Sequence, residues 1–136
     1  MATESDQHSL TLEQIEQDAW GSAPENASRL VRTAHELRRK PIGTLTVEDL
    51  RLLISQQIGL DVLVPRAVAL LRQNPLLEGD FYPGDLLMAV LKQPSSYWQR
   101  HTGLLAAMRE VAGSVEEPDA DLSADIERFL ASAPSS

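Results

Sequence analysis

The residues with most scope for chemistry are Glu78, Asp80 and Asp85, three carboxylates within eight residues of one turn. Hard oxygen donors so close together could hold a cation. Their spacing does not match a calcium loop, which needs donors at positions 1, 3, 5 and 12 around a central glycine. No histidine lies nearby. A structural role is the simpler reading: Asp80 stabilises a turn through its side chain, and Asp85 caps the helix that follows. The three histidines are dispersed, at His8, His35 and His101. None stands at a metal-ligand spacing, and His101 falls on an apolar helical stripe, where a lone histidine is read as a core residue. No Gly-x-Ser-x-Gly elbow, Walker loop or dinucleotide fingerprint is present. Cysteine is absent, which removes disulfides, thiolate metal sites and cysteine nucleophiles together. The chain is therefore read as a non-enzyme with no cofactor and no metal.

What remains is charge and aromatic surface. Net charge is −8, which disfavours direct nucleic-acid binding, because phosphate contacts need Lys and Arg. The charge is segregated: −6 over residues 1–27, +4 over 28–72 and −6 over 73–136. An acidic surface speeds encounter with a basic partner. The basic run Arg38-Arg39-Lys40 reads as a helix C-terminus favoured by cations rather than a phosphate site. Gln56-Gln57 reads as structural, bonding to loop carbonyls. Trp20 and Trp98 are the large anchors, and Trp20 serves equally as a pin for the first helix or as an interface hot spot.

The elements that position these residues are helices. The 136 residues fit one domain, large enough to fold without a disulfide or metal. Residues 1–9 are polar and aperiodic and read as a disordered arm, 10–131 as the helical domain, and 132–136 as a frayed tail. Thr11 caps a helix over Leu12–Asp18, and a second runs Ala27–Arg39 to the stop at Pro41. Thr46 opens a third, with Val47, Leu50, Ile54 and Ile58 on one face and Gly59 as its C′ residue. Pro65 sits at or near the first position of a fourth. Pro83-Gly84 makes a type II turn before a short helix, Leu86–Lys92, apolar on every side. Ser96 and Gln99 form a capping box that opens the longest helix, to about Ala112. A last helix covers Leu122–Ala131. The spacing predicts an all-α domain of six to eight helices, without sheet beyond an incidental pair. Its expected core is Leu50, Leu53, Ile54, Val68, Leu71, Leu86, Leu87, Val90, Leu104, Leu105 and Met108. The N-terminus lacks the basic and apolar regions of a signal peptide, and no apolar run approaches membrane length. The expected location is the cytoplasm, without membrane contact.

Several of these motifs occur together in a known order. Leu12-Glu13-Gln14-Ile15-Glu16 leads to Trp20-Gly21, then to Leu37-Arg38-Arg39-Lys40-Pro41 and to the run Leu45–Ile54 with Gln56-Gln57 and Gly59. Glu78-Gly79-Asp80-Phe81-Tyr82-Pro83-Gly84-Asp85 follows. Over roughly residues 10 to 98 the chain resembles the immunity proteins of contact-dependent growth inhibition systems. The resemblance implies a protein that binds the C-terminal toxin domain delivered by a neighbouring cell and neutralises it. The toxins are often nucleases, some ribonuclease-like. A nuclease must bind phosphate, so its site is basic and an acidic protein complements it. One copy is expected to bind one basic toxin domain over about 1,600 Å2.

Three acidic groups could face that partner. The N-terminal group is Glu13, Glu16 and Asp18 beside Trp20. The turn group is Glu78 and Asp80 with the aromatic pair Phe81 and Tyr82. The C-terminal group is Glu116, Glu117, Asp119 and Asp121. The favoured surface is the turn group supported by the C-terminal group. The alternatives are a helical adaptor with some other protein partner and, last, a small enzyme with a carboxylate site at Glu78, Asp80 and Asp85.

Overall fold

The first helix among the described residues opens at an N-cap. In the computed structural model, which describes residues 9–21 and 23–132, Thr11 Oγ1 accepts from the Gln14 amide at 3.1 Å. The Gln14 side chain returns the bond to the Thr11 amide, closing a capping box. Eight α-helices follow among the described residues: α1 Leu12–Glu16, α2 Arg29–Leu37, α3 Val47–Ser55, α4 Leu60–Gln73, α5 Asp85–Leu91, α6 Ser95–Arg100, α7 Thr102–Ser114 and α8 Ala120–Ser132. A 3-10 turn, Ile42–Thr44, joins α2 to α3. There is no strand among these residues, only two isolated bridges, Thr11 to Pro41 and Glu78 to Pro83. The all-α expectation and the incidental pairing both hold. The expected arm and tail lie outside the described residues, apart from Ser9 and Ser132.

Helix α5 is the hub. All seven of its residues are buried, as its unbroken apolar run requires. Helices α3, α4 and α8 pack around it, α7 packs on α4 and α8, and α6 joins α7. Of the expected core residues, all are buried except Leu104, which is half-buried. Burying such side chains stabilises by about 1.5–3 kcal/mol each, so this core carries the fold. Trp98 lies within it, edge-on to Phe129 of α8 at 5.5 Å.

Three local expectations are corrected. The longest helix is not continuous from Ser96. It breaks at His101 (φ −134°, ψ 60°), and α6 starts after Pro94 without a side-chain cap, so Ser96 and Gln99 make no capping box. Tertiary contact overrides local propensity here. The His101 ring stacks on Tyr97 at 4.3 Å, and its Nε2 lies 3.4 Å from Asp61 of α4. Pro65 is not at the start of α4 but inside it, because Leu63 and Val64 must be helical to reach the core with Ala67, Val68 and Leu71. The carbonyl that loses its donor belongs to Asp61 in the exposed first turn.

The third correction concerns the end of α3. Gln57, not Gly59, takes the left-handed C′ conformation (φ 59°). The Ile58 amide reaches the Leu53 carbonyl and the Gln57 amide reaches that of Ile54, both at 2.9 Å, which is a Schellman closure. The role of Gln57 is thus carried by its backbone. Gly59 instead starts α4 at φ 65°, and a Cβ there would stand 2.9 Å from Leu12 Cδ1. Gly59→Ala is therefore expected to cost about 1–3 kcal/mol, through left-handed strain and the displacement of Leu12. Urea denaturation of the variant against the parent measures this.

Candidate functional site

The loop between α4 and α5 has no helix or sheet to absorb its amides. Two carboxylates from elsewhere do so. Asp85 is only 3% exposed. Its Oδ1 accepts from the Gly79 amide at 2.6 Å and its Oδ2 from the Phe81 amide at 3.1 Å. Glu48, in the first turn of α3, accepts the Asp80 amide on Oε1 at 3.0 Å. Glu48 is also held by Arg51 in a two-bond fork, Nε to Oε1 at 2.7 Å and Nη2 to Oε2 at 2.6 Å. Three successive amides thus point at two fixed anions. The loop then closes through a type II turn, Gly84 at φ 90° and ψ 4°, with the Asp85 amide bonded to the Tyr82 carbonyl at 3.0 Å. Gly79 has no room for a side chain, because a Cβ would lie 2.7 Å from Glu48 Oε1.

This scaffold holds two aromatic rings at the surface. Phe81 is 65% exposed, yet it is not loose, because the Arg51 guanidinium lies 4.4 Å from its ring centroid. Tyr82 is 38% exposed. Its hydroxyl is pushed above the ordinary value by partial burial, and further by Asp85, Asp125 and Asp119, with Arg51 opposing. The α8 N-terminus therefore sits beside the loop. Leu122 makes the same point, lying against Gly84, where a Cβ would meet its Cδ2 at 3.1 Å. Asp119 caps α8 by accepting the Leu122 amide at 2.9 Å.

The sequence-predicted residues divide. Glu78, Asp80, Phe81 and Tyr82 are all exposed, and Asp119 shares the Tyr82 face. Asp121 is exposed in the first turn of α8. Glu116 is exposed beside a separate cavity bounded by Asn74, Pro75 and Leu76, and Glu117 follows it in a left-handed conformation (φ 51°). The expected side-chain roles of the turn acids are corrected. Asp85 does not cap α5, whose N-cap has no side-chain bond, but binds the preceding loop. The structure anchors Asp80 through its amide, and its side chain is exposed. Sequence reasoning missed Glu48 and Arg51 entirely. The i, i+3 acid–base spacing on α3 was the available signal, but it reads equally as a helix-surface pair.

The N-terminal acids are turned to internal work. Glu16 pairs with the Arg38 guanidinium, which is 1% exposed, and Arg38 also donates to the Asp18 carbonyl. Glu13 accepts the Trp20 amide at 3.0 Å, and Asp18 accepts the indole Nε1–H at 3.3 Å. Trp20 lies over Arg38 at 4.2 Å and edge-on to His35 at 5.1 Å. The basic run is consumed the same way, with Arg39 donating to the Gly21 carbonyl and Lys40 near Asp49 at 3.5 Å. Trp20 is a clasp on the body, with 40% of its surface still exposed. Among the described residues no group of three or more His, Cys, Asp or Glu is placed to hold a metal ion. No helix among them is long and apolar enough to cross a membrane.

The described residues thus form an all-α body that carries an anchored, aromatic, acid-flanked loop at its surface. The family model of the CDI immunity proteins matches residues 14–108, most of the chain. The chain belongs to the CDI immunity proteins, the toxin-neutralising components of contact-dependent growth inhibition. No curated protein matches it significantly.

Removing Asp85 strands two amides, whereas removing the Asp80 side chain strands none. Asp85→Ala is expected to cost about 1–3 kcal/mol and Asp80→Ala less than about 0.5 kcal/mol. Parallel urea titrations separate the two. The Arg51 bonds hold Glu48 below its ordinary carboxyl value, against the opposing effect of burial. A depressed carboxyl contributes stability above its unfolded value, about 4.3, and loses it as pH falls through the folded value. Loop order, followed by hydrogen exchange of the Asp80 amide relative to core amides, is expected to fall in that acid window and not between pH 6 and 8.

Proposed function

We propose that this immunity protein neutralises a toxin that acts on nucleic acid, seating the 78–85 loop and the adjoining α8 N-terminus on the toxin's basic surface, one copy per toxin domain. The observation that carries this reading is the exposed Phe81–Tyr82 pair, held rigid beside the exposed acids Glu78, Asp80 and Asp119. A pre-organised aromatic surface loses little entropy on binding, and aromatic residues lead among interface hot spots. A toxin that cleaves nucleic acid must present positive charge to phosphate, and a chain of net charge −8 is drawn to it. The N-terminal acids contribute less, because Glu13, Glu16 and Asp18 are already bonded within the chain. Neutralisation takes place in the cytoplasm, where the toxin meets its substrate, and it is stoichiometric rather than catalytic.

The test is charge reversal. Glu78 and Asp80 have exposed side chains at the rim, so Glu78→Lys with Asp80→Lys should act on encounter and leave the fold intact. The expected outcome is an association rate about tenfold lower at low salt, the difference shrinking as salt rises. Binding kinetics with the cognate toxin domain give the measurement. An unchanged association rate at low salt removes electrostatic steering by this loop.

A further inference from the structure

We infer that the groove beside the loop is a socket for one apolar side chain of the toxin, and that this socket, rather than the acidic rim, sets how long the complex lasts. The inference rests on the neutralisation reading and adds the chemistry of the anchor. Between the loop, α3 and α5 lies an open groove of about 200 Å3. That is smaller than the roughly 300–1,000 Å3 of small-molecule sites and suits a single side chain. Its floor is Met88 and Ala89, its wall is Phe81 and Tyr82, and Ser55 at the end of α3 forms the opposite rim. Lys92, just past the C-terminus of α5, stands at the far end.

The groove is polar at its two ends in opposite senses. The loop end is lined by Asp85, whose carboxylate is engaged by the Gly79 and Phe81 amides, and the exposed acids Glu78 and Asp80 stand on the loop that leads to it. The other end carries the exposed Lys92, separated from the loop by the seven residues of α5, about 10 Å of helix. Arg51, also in the lining, is neutralised by its fork to Glu48. An occupant that fits is an apolar side chain with a basic residue on the loop side, and with a main-chain carbonyl free to accept from Lys92. Such a segment belongs to a basic toxin and complements the charge at each end. Phe81 provides the apolar contact at low entropic cost, because Arg51 and three bonded amides already fix it.

Two variants test the socket against the rim. Phe81→Ala removes the wall, and its high exposure makes it a mild change to the fold. Ser55→Gln narrows the groove from the exposed opposite rim with a neutral side chain and without touching the loop. Both are measured in the whole 136-residue chain against the cognate toxin domain, with thermal melts as the control for folding. The expected result is a dissociation rate at least about thirtyfold faster for each, an association rate changed less than about twofold, and no salt dependence of the difference. Dissociation at the parent rate in both variants overturns the socket while leaving neutralisation standing. A parent chain that does not bind the toxin overturns the reading on which the socket rests.

Discussion

The Glu48 carboxylate joins α3, the loop that precedes α5 and the exposed Phe81 ring. It stands on α3, receives the Asp80 amide from the loop, and grips Arg51, which in turn supports the Phe81 ring. An unpaired amide in a partly buried loop is costly, so the loop exists in this shape only because anions are supplied from outside it. Asp85 supplies the second anion from the first residue of α5. Since α5 is buried on every side, the loop inherits the rigidity of the core. Exposed aromatic rings on an otherwise polar surface normally invite aggregation or partners, and here they are held in one conformation.

Acid–base pairing sorts the charge into structural and free groups. At the N-terminal end Arg38 is sunk under Trp20 and shared between Glu16 and the Asp18 carbonyl. Breaking such a buried pair would leave an uncompensated charge, so these groups are committed to the fold. Around the loop, Glu48 and Asp85 are likewise committed, while the side chains of Glu78 and Asp80 are exposed. Among these acids, Glu78 and Asp80 keep exposed side chains, whereas Glu13, Glu16 and Asp18 are bonded within the chain.

Helical periodicity made most of the fold legible. The caps at Thr11 and Thr46, the type II turn at Pro83-Gly84 and the buried run of α5 are local signals, and each appears as read. Two of the misreadings share one cause, a contact distant in sequence. The break at His101 answers to Tyr97 and Asp61, the latter 40 residues away, and Gly59 answers to Leu12. Asp85 was read forward, as a cap, whereas its bonds run backward into the loop. Glu48 was invisible as a site residue because its partner amide at Asp80 is 32 positions distant. The loop's aromatic pair could be named from sequence, but what fixes it in place is a tertiary matter.

Recognition through the loop and the α8 N-terminus, as proposed, is tested most directly by hydrogen exchange of the complex. The free chain and its complex with the cognate toxin domain would be compared amide by amide. The predicted result is added protection at residues 79–85 and 117–123, with α1 and α2 unchanged. Protection confined to residues 12–39, with the loop amides exchanging as in the free chain, would contradict it and move the toxin to the Trp20 clasp.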